Sequence, residues 1–501
     1  MSVVDGALAA ALAEISDLGS AAALMHWDER TKMPRRGASA RAEHLSTLAR
    51  ITHERRVSDE LGRLLDAARS NLDGHGPDSD EARVIAVATR EWEKARRVPA
   101  DLTAEIARAE SIAEHAWLSA REAGEFDAFL PHLEHVVDLK RRYVDCFEVD
   151  HPYDALLDDF EPGASTSDVA AILGGLRDGV APLIERVAAA EQPDESCLHG
   201  DFPIDRQRRM ADEIAGSMPF EPGTWRLDDT EHPFAESISS DDVRLTTRYD
   251  PTYLGTAIWA VIHEAGHGVY EAGMPKGLAR TPAAAPRSLG LHESQSRLWE
   301  NWVGRGRPFL ESLVPRLREH FPETFDAVGP DELYRAANAV RRSLIRVEAD
   351  ELTYNIHVAI RFELELELFE GRIEVADLRE AWNARYRDYL GLDVPDDRAG
   401  ILQDVHWAGG AFGYFPTYSL GNVIAAQLWD RAAADLPDLD AQLAAGDLRP
   451  LHAWFAENLY RHAGKYGAAE TVERITGGPI DPAPLVAHLH RKYGELYPVV
   501  I

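Results

Sequence analysis

The sequence predicts a mainly α-helical protein with one small β-sheet. Three observations carry that prediction. Long stretches repeat apolar residues at helical spacing, one short stretch alternates as a strand does, and Pro and Gly gather in a few clusters between them. In chain order, residues 101–123 set Leu102, Ile106, Ala109, Ala113 and Ala116 on one face with charges opposite. Residues 165–190 open on Ser165, Thr166 and Ser167 as candidate caps, followed by Val169, Ile172, Leu173 and Leu176. Loops are expected at 192–203 and 218–224. Val243 to Tyr249 reads as a strand, with Val243, Leu245 and Thr247 alternating with Arg244, Thr246 and Arg248. A helix follows, with Asp250 as its N-cap and Pro251 at its first position. After a loop at 274–290, residues 291–301 read as a second helix. Residues 333–370 form a long amphipathic stretch without proline. Loops are expected again at 391–400 and 408–421. No fixed-period repeat, low-complexity tract or long linker divides the chain, so a single domain over 1–501 is expected, one helical body with two lobes.

Composition narrows the classes. In 501 residues, 45% are hydrophobic and 28% charged, as in ordinary globular proteins. The net charge of −32 repels nucleic acid and anionic membrane surfaces, so neither is expected as a partner. Only six of the 53 basic residues are lysines. An acidic, lysine-poor surface suits a salt-rich cytoplasm, although a GC-biased genome would favour arginine equally. Cys146 and Cys197 are the two cysteines, too few for a disulfide framework or a thiolate metal site, and a reducing, cytoplasmic setting is expected. The first residues lack the basic region of a signal peptide. No stretch approaches 18 uncharged apolar residues, so no membrane span is expected.

The chemistry concentrates at His263-Glu264-Ala265-Gly266-His267. At about 100° per residue, His267 sits about 40° round from His263 and one turn along the helix. Two neutral imidazoles so placed can close on one tetrahedral Zn²⁺. Glu264 projects into the same quadrant, beside the metal, where a general base must stand. The residues before the motif are apolar (Leu254, Ile258, Trp259, Val261, Ile262), which places it in the interior. A third protein ligand is required. Gly273, Pro286 and Arg287 occupy the positions where common spacings would put one, and none of them can serve. Glu293 is the next plausible acid, with Glu271, His292 and Glu300 as competitors. Glu271 is expected to lie too far along the helix axis.

Several separated motifs resemble the carboxypeptidase Taq family of metallocarboxypeptidases. They are Asp242-x-Arg244-x-Thr246, Gly400-x-x-Gln403-Asp404-x-His406-Trp407, and His292-Glu293-Ser294-Gln295-Ser296. His232-Pro233-Phe234, Arg346 to Glu351 with Thr353-Tyr354-Asn355, and Gly413 to Tyr418 extend the match, as do Trp27-Asp28 and Met33-Pro34. The resemblance implies Glu293 as the third ligand and an elongated, two-lobed, neurolysin-like helical fold with a deep groove. It also implies a homodimer and removal of single residues from peptide C-termini with broad specificity. The implied ion is zinc, with cobalt as a substitute.

A mechanism built on these parts has Glu264 take a proton from water and return it to the leaving amine. His406 and Tyr418 are candidate donors to the oxyanion. A free α-carboxylate calls for an arginine, and Arg346 and Arg244 lie in family-like motifs. Asp242 and Asp404 could orient such groups. The alternative on the same parts is a helical metallo-oligopeptidase or endopeptidase. A non-catalytic metal-binding protein is a third reading, which the intact Glu264 opposes.

Overall fold

In the computed structural model, residue 4, residues 6–72 and residues 74–498 are described. Helices dominate, as the periodicity predicts. Six of them open the chain: Gly6–Thr31, Ala38–Arg56, Asp59–Ser70, Asp80–Arg97, Ala100–Ala123 and Phe126–Val144. Local chemistry sets several ends. Ser58 and Ser79 cap the third and fourth helices by accepting from the Leu61 and Ala82 amides. Gly124, at φ 76°, closes the fifth in the left-handed conformation. That helix buries Leu102, Ala109, Ala113 and Ala120, the predicted face. The helix Thr166–Ala188 is capped by Ser165, again as predicted.

The expected strand is found as β3, the middle of a three-stranded sheet. β1 (Trp225–Asp229) pairs parallel to β3 (Asp242–Thr247), and β2 (Ala235–Ser239) pairs antiparallel on the other side. Val243 and Leu245 are fully buried and face the helix Gly255–Ala272 that carries the histidines. A Cβ at Gly268 would lie 2.9 Å from Val243 and 3.0 Å from Leu245, so a glycine is what lets helix and sheet meet. One apolar cluster runs through the described residues from Val4 to Tyr497.

Three expectations require correction. The motif helix begins at Gly255, not at Asp250. Asp250 instead folds a local turn, its Oδ1 accepting from the Thr252 amide and hydroxyl, while the Pro251 and Thr252 carbonyls are taken by Phe202 and Gly200. Residues 333–370 do not form one helix. Pro330–Ala337 and Tyr354–Phe369 are separated by irregular chain. There Asn338 donates to the Tyr334 and Arg305 carbonyls, and Asp350 accepts from the Arg341, Leu352 and Thr353 amides. Tertiary hydrogen bonds thus override a helical pattern. The loop expected over 408–421 gives way at Pro416, which starts the helix Pro416–Asp435. The helix Gly6–Thr31 reaches a mean hydropathy of 1.4 over 18 residues, but Glu14 and Asp17 interrupt it, so it contains no run of 18 uncharged apolar residues. It packs against the second and third helices and β2.

Candidate metal centre and active site

Three helices converge on the motif, and two glycines allow it. A Cβ at Gly266 would stand 2.7 Å from the Ser296 Cα, so the motif helix can touch the backbone of the helix Leu289–Arg297. A Cβ at Gly421 would stand 2.6 Å from the Glu293 Cγ, so the helix Pro416–Asp435 closes on the same residue from the other side. Glu293 is fixed between them.

His263, His267 and Glu293 each offer a ligand atom, all within 4.8 Å of one another. The Glu293 Oε2 lies 3.8 Å from His263 Nε2 and 3.4 Å from His267 Nε2. Donors at about 2.0–2.1 Å from one tetrahedral ion stand about 3.4 Å apart, so the spacing fits a single divalent metal. The electrostatics agree. Burial and the neighbouring His292 bring His267 down to about 4, leaving it neutral, and its Nδ1 has no hydrogen-bond partner. Burial works against the Glu293 charge, but Arg297 and His267 outweigh it and hold the carboxyl well below its usual range. Arg297 Nε donates to Glu293 Oε1 at 2.7 Å, which leaves Oε2 facing the histidines.

The competitors find other roles. Past Arg297 the helix widens into a π-helical turn, Leu298–Gly304. That turn aims Glu300 Oε2 at His263 Nδ1, 2.9 Å away. Burial raises the Glu300 carboxyl, yet the His263 hydrogen bond and Arg305 bring it down to about 2. Such a carboxylate fixes the ring and leaves Nε2 free for metal. Glu271 lies beyond the cluster, 3.0 Å from His292 Nε2, and the His292 ring lies 4.2 Å from that of His267.

Glu264 is buried and makes no hydrogen bond or ion pair with any described residue. Burial pushes its carboxyl up to about 7, against the charge of His263. His406 and Tyr418 meet, Nε2 to Oη, at 3.2 Å. Burial lowers His406 to about 4 and holds the Tyr418 phenol well above its usual value. Arg346 is buried too. It gives Nε and Nη2 to Asp404 Oδ1 at 3.1 and 2.8 Å and Nη1 to the Tyr354 hydroxyl at 2.9 Å. Arg361 holds the other Asp404 oxygen at 2.8 Å. Two guanidiniums on one carboxylate leave a surplus positive charge beside Tyr418, whose ring centroid is 4.8 Å from Arg346. Arg244 sits elsewhere. It pairs with Asp242 through two 3.0 Å bonds and stacks 4.2 Å over Trp27, tying the first helix to the sheet. The structure does not bring it into contact with the His–His–Glu cluster. Sequence reasoning missed Arg297, although its spacing of four from Glu293 was visible, and it read Glu300 only as a rival ligand.

Fold and site together define a helical metallopeptidase. The carboxypeptidase Taq (M32) metallopeptidase family matches residues 7–493. Thermostable carboxypeptidase 1 of Thermus thermophilus is 41% identical over 499 residues, 97% of each chain. Carboxypeptidase 1 of Bacillus subtilis is 37% identical, again over 97% of each. The M32 carboxypeptidase of Deinococcus radiodurans superposes with TM-score 0.95 at 39% identity, covering 98% of this chain and 99% of that one. The chain belongs to the carboxypeptidase Taq family of metallopeptidases.

Proposed function

We propose that this metallocarboxypeptidase releases single residues from free peptide C-termini with broad specificity, and that His263, His267 and Glu293 hold its metal. Zinc is the proposed ion, with cobalt as a substitute, since two imidazoles and a carboxylate accept either. A divalent ion there supplies Lewis acidity, which acidifies water and polarises the scissile carbonyl. The chain's own residues do the rest. Glu264, poised near 7 and unpaired, takes the proton of the attacking water on its carboxylate and hands it to the leaving amine. The His406–Tyr418 pair donates to the developing oxyanion. Tyr418 keeps its proton, which suits a donor. Arg346, with the surplus charge it shares with Arg361, attracts the substrate carboxylate, while Asp404 and Tyr354 fix its orientation. We read residues 1–501 as one catalytic domain, working as a homodimer in the cytoplasm, where Cys146 and Cys197 stay free.

The observation that carries this reading is an unpaired carboxyl beside a preformed two-His, one-Glu cluster. Glu264→Gln should retain metal, by elemental analysis, and lose at least about 10²–10⁴-fold in kcat, the usual worth of a general base. A variant hydrolysing peptides at the parent rate would end the mechanism. Amidating the C-terminus of a test peptide should abolish cleavage, whereas N-acetylation should not. Undiminished cleavage of the amide would point to an endopeptidase.

A further inference from the structure

Two side chains one turn apart on the helix Tyr354–Phe369 grip the segment that carries His406. Arg361 takes its start, donating Nε to Asp404 Oδ2 and Nη2 to the Gln403 side-chain oxygen, both at 2.8 Å. Glu365 takes the rest. Its Oε1 accepts from the Trp407 indole N–H at 2.6 Å, and its Oε2 accepts from the Gly413 amide at 2.9 Å. A third donor comes from outside the segment. The Tyr153 hydroxyl, on the helix Pro152–Leu157, reaches Oε2 at 2.6 Å. His406 thus stands between two anchored neighbours, Asp404 and Trp407. Gly413 is the anchored point from which the chain leads through Tyr414 to Tyr418.

This anchoring works against desolvation. Glu365 is fully buried, and burial pushes its carboxyl up to about 7, against the hydrogen bonds it accepts. A buried carboxylate is costly unless its oxygens are satisfied. An amide of the same shape cannot take its place. The Trp407 indole and the Gly413 amide can only donate, and they approach different oxygens. In either orientation a glutamine turns its own N–H groups toward one of them, and two buried donors then face each other. The position needs two acceptors side by side, which a carboxylate supplies and a carboxamide does not.

We propose that Glu365 is a positioning residue for catalysis: by holding Trp407 and Gly413 on its two oxygens, it sets the His406–Tyr418 pair where the oxyanion develops. The inference rests on reading that pair as the oxyanion donors. Such donors act only if they are in place before the reaction. A misplacement of about 1 Å can cost about 10²-fold in rate. His406 Nε2 and Tyr418 Oη meet at 3.2 Å, so a shift of the segment parts them.

Four variants of the full-length, metal-loaded protein test this. Glu365→Gln should lower kcat about 10–100-fold and leave KM within about twofold, the mark of an interaction made only in the transition state. Trp407→Phe removes one donor of the segment and should lower kcat in the same way, which keeps the test readable if Glu365→Gln does not fold. Tyr153→Phe removes the donor outside the segment and should hold kcat within about twofold, whatever it does to Tm. In a His406→Ala background, Glu365→Gln should cost only about threefold or less, because the group it places is gone. Amide hydrogen exchange over residues 403–418, read by mass spectrometry, should quicken in Glu365→Gln and Trp407→Phe but not in Tyr153→Phe. Parent kcat in Glu365→Gln, an equal loss in Tyr153→Phe, or a loss that persists in full without His406 would overturn the proposal. If His406→Ala alone hydrolyses peptides at the parent rate, the reading of His406 as a donor falls. Unchanged exchange over 403–418 would instead sink the placement itself.

Discussion

At the scale of single residues, the site divides groups that touch the reaction from groups that hold them. His263 cannot be understood without Glu300, which accepts from its Nδ1 and is in turn held by Arg305 at 3.0 Å. Replacing Glu300 by Gln keeps the shape and removes the charge. Metal affinity should drop about 10–100-fold, the usual effect of losing an outer-shell carboxylate. Competition with a graded series of chelators measures this, and unchanged affinity would show that the π-helical turn is not there to aim Glu300. Residue-level chemistry was partly legible in the sequence. The two histidines and Glu264 declare themselves through helical geometry alone, because i and i+4 must share a face. Arg346 and Asp404 could be nominated from motifs, but not their sharing with Arg361, because that contact joins positions far apart in the chain.

Among the elements, close approach decides the site. The helix Pro416–Asp435 meets Leu289–Arg297 at Gly421, where no side chain stands between the two backbones. Gly421→Ala places a methyl group against the Glu293 Cβ and Cγ, 2.8 and 2.6 Å away, and one helix must yield. Overpacking of this kind costs about 1–3 kcal/mol in stability. Because the displaced side chain is a proposed ligand, metal affinity should fall along with Tm. Gly174 offers the contrast. Its Cβ would meet nothing within 4 Å inside the helix Thr166–Ala188, so Gly174→Ala should raise stability by about 0.4–1 kcal/mol. Equal Tm values for the two variants would refute the packing argument. Element by element, the helices 101–123 and 165–190 and the central strand could be read directly, since each is fixed by its own pattern and caps. The break between Ala337 and Tyr354 could not. Asn338, Asp350 and the Asp404 side of Arg346 impose it through distant contacts that periodicity does not register.

For the whole molecule, charge is the dominant fact. A surplus of 32 negative charges on 501 residues repels itself, and repulsion opposes a compact state. The Debye length falls from about 10 Å at 0.1 M salt to about 3 Å at 1 M, so added KCl should screen this repulsion strongly. Attractive surface pairs such as Arg280–Asp17 and Lys276–Asp241 weaken at the same time, but exposed pairs are worth at most about 1 kcal/mol each. Repulsion therefore wins the balance, and Tm should climb steadily between 0.1 and 1 M KCl. A Tm that stays flat or falls would mean that surface pairing, and not the net surplus, governs how this chain responds to salt.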